Sequence, residues 1–427
     1  MNFFKWIVYS IVSIPIISIL IVISFFVGRK NNKIVFGTTP ILNNKYWSNA
    51  LRDIGMESET LMRNYYSNIN KKDDFDKYFD DVIPKIFRRK YINEVAYLFF
   101  VWFYIIRNVK VFVMPFSGVV FKKYFWKAEL LLFRLNGIKV IVLPYGSDAY
   151  MYSKIKDPSL QNALLISYPN ASKEEATITK KVFFWSKYAD IIIGGFMAID
   201  GMPRWDILFG NFIQIDTQEW KAKKDYSKNN GKNGVVKIMH SPNHRGVKGT
   251  EYIIQGVNDL KKEGLRIKLI LLENVPNSQV RDLMQEIDIL VEQLIIPAHG
   301  LNAIEGMASG LPVHANLDNE VYTKLFRRYS FLNECPILST SPETLKDNLR
   351  LLVTNPELRK ELGELGRKYA EKYHSYKMAQ FLFTSIFKKF DGEDIDLMNL
   401  FHPLKSEYVK NNYIKTPLIN NRYIKKS

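Results

Sequence analysis

Short β-branched runs alternate with stretches of helical period along most of this chain, and that alternation leaves few folds open. The second half shows it best. Residues 235–239 read as a strand, and 250–263 as a helix with Ile253, Ile254, Val257 and Leu260 on one face. Thr250 is its N-cap, and Gly264 stands just past its end. Strand 265–272, helix 278–286, strand 287–294, helix 301–309 closed by Gly310, and strand 313–316 follow. The first half repeats the pattern, with strands at 33–37, 109–114, 138–143 and 189–193 and helices at 45–65 and 122–135. The fold expected is α/β: two Rossmann-like, parallel-sheet domains facing a cleft, where ligands of such sheets bind.

One segment does not belong to that pattern. From Trp6 to Gly28 the chain carries no charge. At about 1.5 Å per residue it is long enough to cross a hydrocarbon layer of roughly 30 Å. Its end carries the bulky pair Phe25 and Phe26 rather than the small residues of a cleavage site. Lys5 precedes it, and Arg29, Lys30 and Lys33 follow. The expectation is one N-terminal transmembrane helix, a single-pass anchor that leaves the bulk of the chain in the cytoplasm. The single cysteine, Cys335, fits a reducing compartment and excludes an intramolecular disulfide and a cysteine-based zinc site.

With 60 Lys+Arg against 43 Asp+Glu the net charge is +17, which favours anionic partners. The charge is spread rather than gathered into a stripe with stacking aromatics, so an anionic membrane surface is preferred and nucleic acid is not expected as a partner. A second apolar run, 95–106, is too short to span a bilayer and reads as a core helix or one dipping into the leaflet. The acidic stretch from Asp73 to Asp81 reads as a solvated loop or helix end. Residues 219–234 are polar and Gly/Asn-rich, a linker composition. The organisation expected is therefore an anchor at 1–30, a first Rossmann-like domain at 31–218 and a linker at 219–234. A second Rossmann-like domain at 235–372, a C-terminal helix at 373–390 and a loosely ordered basic tail at 391–427 complete it. Ser341-Pro342 and Asn355-Pro356 each read as a helix start in the last part.

Two strand-to-helix segments carry chemistry. His240 to Glu251 joins a strand end to a helix start and includes Arg245 and Lys248. Free N–H groups at a helix N-terminus together with two cations suit a diphosphate, although a basic surface loop has the same composition. Pro297 to Val313 contains Gly300, where backbone can approach a ligand closely, and Glu305 on an otherwise apolar helix. A carboxylate there can accept both hydroxyls of a ribose. The bland alternative is a surface carboxylate answering the helix dipole. The histidines show no metal spacing, since Pro242 lies between His240 and His244, and no metal or cofactor is expected.

The second half resembles the nucleotide-sugar domain of the GT-B glycosyltransferases, in particular the retaining, family 4-like group 1 enzymes of bacterial surface polysaccharide synthesis. Three stretches carry the resemblance in order: Val247-Lys248-Gly249-Thr250; Gly300 through Glu305-Gly-Met-Ala-Ser-Gly-Leu-Pro-Val; and Asn355-Pro-Glu-Leu through Tyr373-His-Ser375. It implies transfer of a sugar from a nucleoside diphosphate donor, without a metal. By match, Lys248, with Arg245 beside it, contacts the donor diphosphate. The backbone at His299, Gly300 and Leu301 faces the donor phosphate and sugar, and Glu305 holds the ribose. In the first half, Tyr145-Gly146-Ser147-Asp148 resembles the His-Gly-Ser-Asp turn of the family, which makes Asp148 and Tyr145 the candidate catalytic residues. The chain departs from the pattern in carrying Pro297 in place of the first Glu of the Glu-x7-Glu motif, Asn243 in place of an arginine, and Tyr145 in place of the histidine. The expected function is transfer of a sugar from a nucleotide-sugar donor to a lipid-linked or other glycan acceptor, building a capsule or lipopolysaccharide type of polymer. The departures motivate an alternative, a catalytically silent nucleotide-sugar-binding scaffold. Sugar-nucleotide epimerisation, which needs no acceptor, is a third reading.

Overall fold

A computed structural model of the chain describes residues 3–418, apart from 67–69, 89–91, 122–123, 197, 274 and 276. Contacts divide it into two compact units: 1–149, 176–197 and 201–206 in the first, and 150–175, 198–200 and 207–427 in the second.

The first unit opens with helix α1 (Phe3–Phe26), followed by β1 (Lys33–Thr38), α2 (Leu42–Arg52), β2 (Ser58–Met62), β3 (Lys77–Tyr78) and the short α3 (Phe79–Val82). Then come α4 (Asn93–Asn108), β4 (Val109–Met114), α5 (Ala128–Leu135) and β5 (Lys139–Val142). After α6 (Pro158–Ser167), which belongs to the second unit, α7 (Glu175–Tyr188) leads into β6 (Ile191–Gly194). The strands run parallel in the order β3-β2-β1-β4-β5-β6, with Val35 beside Phe112 and Phe112 beside Val140. Helix α4 contains the apolar run, and it is a core helix: Val101, Trp102 and Ile105 are buried completely.

Two details differ from the sequence reading here. The helix expected over 45–65 ends at Arg52, and Gly55 turns the chain at φ 80° into strand β2. Ser58-Glu59-Thr60 passes for helix surface because it is polar, yet it lies in a buried parallel strand. Glu59 is kept there by the Lys33 ammonium at 2.6 Å and by the Tyr104 hydroxyl. The acidic stretch is more ordered than a solvated loop. Asp76 accepts from the Thr60 amide at 2.9 Å, and Asp81 accepts from the Tyr78 amide at 2.8 Å.

Helix α1 packs on α4 and α5. Its buried side is Ser10, Ser13 and Leu20, and Ser24 Oγ accepts a hydrogen bond from Asn136 Nδ2 at 2.8 Å. The Tyr9 ring lies parallel to that of Phe125. The opposite side, Ile11, Ile14, Ile19, Val22, Phe25 and Phe26, is exposed. This inverts the amphipathic order of a soluble surface helix, since small hydroxyl residues face the protein and large apolar ones face outward. Among the described residues, α1 alone is long and apolar enough to cross a membrane.

In the second unit, the short β7 (Ile207–Leu208) precedes β8 (Val236–His240), the single turn α8 (Arg245–Lys248), α9 (Thr250–Lys262) and β9 (Ile267–Leu271). Helix α10 (Asn277–Met284), β10 (Ile289–Pro297), α11 (Leu301–Ala308), β11 (Val313–Asn316), α12 (Glu320–Tyr329) and β12 (Leu338–Ser339) continue the alternation. The parallel order β12-β11-β10-β8-β9 puts β8 next to β10, with Ile238 beside Ile289. The loops after those two strands therefore leave the same edge of the sheet side by side. Ile238, Ile253, Val257, Val291 and Leu349 fill one core beneath them. Helices α13 (Leu345–Thr354), α14 (Pro356–Tyr373), α15 (Tyr376–Phe390) and α16 (Glu407–Lys410) close the chain. Helix α13 starts at Leu345 rather than at Pro342, because 341–344 form a turn held by the Thr344 hydroxyl on the Ser341 amide at 3.0 Å.

The segment after 391 is not loose over its described part. Phe401 stacks on Phe209 with ring centroids 4.5 Å apart, and Val409 and Ile414 are buried. The Val409 carbonyl accepts from Lys372 Nζ at 2.8 Å. Aromatic anchors too widely spaced to make a periodic pattern order this segment. Residues 419–427, with Arg422, Lys425 and Lys426, lie outside the described residues.

Candidate active site

His240 ends β8 and is buried. Its Nδ1 lies 2.8 Å from the Val291 carbonyl and its Nε2 2.9 Å from the Thr250 hydroxyl. Burial lowers its pKa to about 4, so the ring is neutral at physiological pH. A neutral ring with Nδ1–H donating and Nε2 accepting satisfies both contacts and stitches the strand end to the first residue of α9. Between them, Gly249 turns the chain from α8 into α9 at φ 74°. A Cβ there would sit 3.0 Å from that of Leu294, so the position needs glycine on both counts.

The two cations expected to act together stand at opposite ends of the single turn α8 and point apart. Arg245 lies at the surface, where its Nε donates to Glu251 at 2.8 Å and its Nη1 to Glu273 at 3.0 Å. Lys248 points inward and its side chain is only 14% exposed. Its Nζ lies 3.0 Å from Glu292 Oε1 and 2.7 Å from Gln293 Oε1.

The second loop meets the first at Glu292. Strand β10 ends at Pro297, and Ala298 takes the left-handed conformation at φ 69°, a strained one for a residue with a Cβ. Gln293 Nε2 braces the bend by donating to the Ala298 carbonyl at 2.9 Å. His299 is buried, and its carbonyl accepts from the Asn211 amide. Burial and the neighbouring His374 hold the His299 ring neutral, well below its usual pKa. The Gly300 amide donates to both Glu292 oxygens at 2.9 Å. A Cβ on Gly300 would fall 2.6 Å from Glu292 Oε1, so any larger residue there requires that carboxylate to shift. Leu301 then begins α11. Thus Lys248 and the α11 N-terminus converge on one point, and a buried carboxylate occupies it.

Glu305, one turn into α11, is 1% exposed and is therefore not a surface carboxylate answering the helix dipole. Asn277 Nδ2 donates to its Oε1 at 2.8 Å. Burial, with Glu292 and Glu219 adding negative potential, pushes its carboxyl up to about 8. It is mostly protonated at neutral pH.

In the first unit, Tyr145 and Asp148 form the turn after β5. Asp148 Oδ1 accepts from the Tyr145 amide and Oδ2 from the Phe116 amide, each at 2.9 Å. The carboxylate thereby ties that turn to the loop after β4. Desolvation pushes its carboxyl up to about 7 against those bonds. The Tyr145 hydroxyl donates to Asn44 Oδ1 at 2.7 Å. Sequence reasoning missed the partner of this arrangement, Glu129. It is fully buried, and its oxygens accept from the amides of Val119, Val120 and Phe121 at 2.8, 2.7 and 2.8 Å. Lys181 Nζ donates to the Ser117 carbonyl of the same loop at 3.2 Å. Asp148 and Glu129 therefore fix both ends of 116–121. A lone Glu in the apolar helix Ala128–Leu135, three residues before the buried Leu132, was the available signal.

This is the fold of the GT-B glycosyltransferases. The solved structure of sucrose-phosphate synthase from Thermosynechococcus elongatus superposes with a TM-score of 0.52 at 11% identity, covering 84% of this chain and 99% of that one. A glycosyltransferase from Rickettsia africae gives 0.49 at 12% identity, covering 86% and 100%. The C-terminal domain of a group 1 glycosyl transferase family protein from Francisella tularensis gives 0.28 at 16% identity, covering 38% and 98%. No curated protein matches the chain in sequence. Residues 234–369 match the family model described as glycosyl transferases group 1. That matched segment, about a third of the chain, holds Lys248, Gly300 and Glu305 and is similar to a group 1 glycosyl transferase domain.

Proposed function

We propose that the chain moves a sugar from a nucleoside-diphosphate sugar to a lipid-linked glycan acceptor in the synthesis of a surface polysaccharide, without a metal. The observation that carries this reading is the convergence of Lys248 and the Gly300 amide, at the N-terminus of α11, on a single buried anion. A place built to hold a carboxylate there suits the departing diphosphate, whose growing charge a fixed ammonium and aligned N–H groups stabilise electrostatically. Glu305, one turn further along α11, takes the ribose hydroxyls. Arg245 reaches the diphosphate only by exchanging its exposed pairs with Glu251 and Glu273, a small cost at the surface. Asp148 and Tyr145 serve the acceptor side by shaping the turn after β5. The outward apolar face of α1 supports a membrane anchor, and the basic residues that follow it support a cytoplasmic site for the folded units.

Thermal stabilisation of the full chain in detergent tests the donor site against a panel of nucleoside diphosphates and nucleotide sugars without metal. One nucleotide series should raise the melting temperature, and Lys248→Ala and Glu305→Ala should each abolish the rise. No rise with any nucleotide overturns the reading. A second reading, a scaffold that binds donor but does not transfer, draws on Tyr145, whose hydroxyl is bound to Asn44 where the family pattern has a histidine. Transfer of labelled sugar to a membrane-extracted acceptor excludes it.

A further inference from the structure

Glu292 has taken the partners that an incoming phosphate needs. Its side chain is 1% exposed, it lies in the interior strand β10, and it binds what the donor reading assigns to the diphosphate: the Lys248 ammonium at 3.0 Å and the Gly300 amide at 2.9 Å from each oxygen. The Lys248 ammonium has three protons. Glu292 and Gln293 accept two of them, and Gln293 also braces the bend at Ala298. The Gly300 amide has one proton, and it is spent on Glu292. A phosphate oxygen at this amide therefore replaces the carboxylate. A phosphate that left the carboxylate in place would put two anions against one ammonium in a poorly solvated site.

We propose that Glu292 is the internal counter-anion of the donor site: it holds Lys248 and the N-terminus of α11 in position while the site is empty, and a nucleoside diphosphate displaces it from both. This rests on the donor-site reading above. Glu292 is a positioning residue in this account, because it acts through Lys248 and the loop. It keeps a buried ammonium paired between turnovers and lowers affinity for the diphosphate product, which favours its release.

The test is the sign of one change. Glu292→Gln preserves shape and an acceptor for the Gly300 amide, and it removes the charge. Isothermal titration of the full chain in detergent with UDP, ADP, GDP and CDP identifies the diphosphate bound by wild type. E292Q should bind that diphosphate about tenfold tighter, the scale of one like-charge repulsion at a partly screened site. The matching nucleoside, which carries no phosphate, should bind both proteins equally. In transfer assays E292Q should lower the KM for donor without raising kcat. Equal or weaker diphosphate binding by E292Q overturns the proposal and makes Glu292 a simple clamp, with the donor site intact. Should E292Q fail to fold, a structure of wild type with the diphosphate decides. Phosphate oxygens on Lys248 Nζ and the Gly300 amide, with Glu292 released, support the proposal, whereas Glu292 still on both groups beside the phosphate overturns it. Absence of diphosphate binding in both proteins removes the donor-site reading itself.

Discussion

Replacing Glu305 by Gln should make the protein less sensitive to pH, by an amount set by the burial of this one carboxyl. Its pKa of about 8 stands far above the ordinary 4.5. The folded state therefore holds a proton that the unfolded state gives up between those two values. Because the unfolded state binds fewer protons in that window, stability falls as pH rises, by about 1.4 kcal/mol per unit for one fully linked proton. From pH 5 to 7.5 the wild type should lose roughly 3 kcal/mol relative to E305Q, which carries no such proton and can still accept from Asn277. For a cooperative unit of this size that is a relative shift in melting temperature of about 6–12 °C. Differential scanning of both proteins at half-unit pH steps measures it, and other titrating groups cancel in the difference. Parallel melting curves across the window would refute the buried, protonated state of Glu305. The same proton bears on function. Ribose hydroxyls donate best to a carboxylate, so nucleotide binding at pH 7 should release a proton from wild type and not from E305Q. Titration in buffers of different ionisation enthalpy reads that release.

Other residues give sharper, local outcomes. Lys248→Ala leaves Glu292 buried without its cation, so it should cost about 3–5 kcal/mol of stability in denaturant melts as well as nucleotide binding. Glu129→Ala strands three buried amides, at about 1–3 kcal/mol each, and hydrogen exchange at 119–121 should rise well before global unfolding. Gly300→Ala puts a methyl 2.6 Å from Glu292 Oε1 and forces that buried carboxylate to shift, so it should cost about 1–3 kcal/mol in denaturant melts. Val22→Asp on the exposed face of α1 should weaken flotation with anionic vesicles by at least tenfold, since a buried aspartate costs about 2.5–3.5 kcal/mol in a bilayer.

Periodicity carried the framework, and chemistry hidden inside elements did not show. The strands at 109–114 and 313–316 and the helix after Thr250 stand where β-branched runs and one-sided apolar spacing put them. Strand β2 escaped because Ser58, Glu59 and Thr60 look solvated, and the partners that make them tolerable, Lys33 and Tyr104, are distant in sequence. The ordered segment around Phe401 escaped because isolated aromatics have no period. At the site, the motif residues Lys248, Gly300 and Glu305 were legible because their spacing is local to two loops. Glu292 was not, although Glu292-Gln293 interrupts an otherwise apolar strand run. Its meaning depends on Lys248, 44 residues away, reaching it. The depth of Glu305 was likewise invisible, because α11 is short and its whole inner face is covered.

The central claim is sugar transfer from a nucleotide donor held at Lys248 and the start of α11. The most direct test incubates the full chain, in detergent with membrane-extracted lipid acceptors, with radiolabelled nucleotide sugars in excess chelator. Label should enter the lipid fraction with one donor series and fall by at least a hundredfold in Lys248→Ala. Label that stays in the nucleotide fraction with every donor, or transfer that survives Lys248→Ala unchanged, would contradict the account.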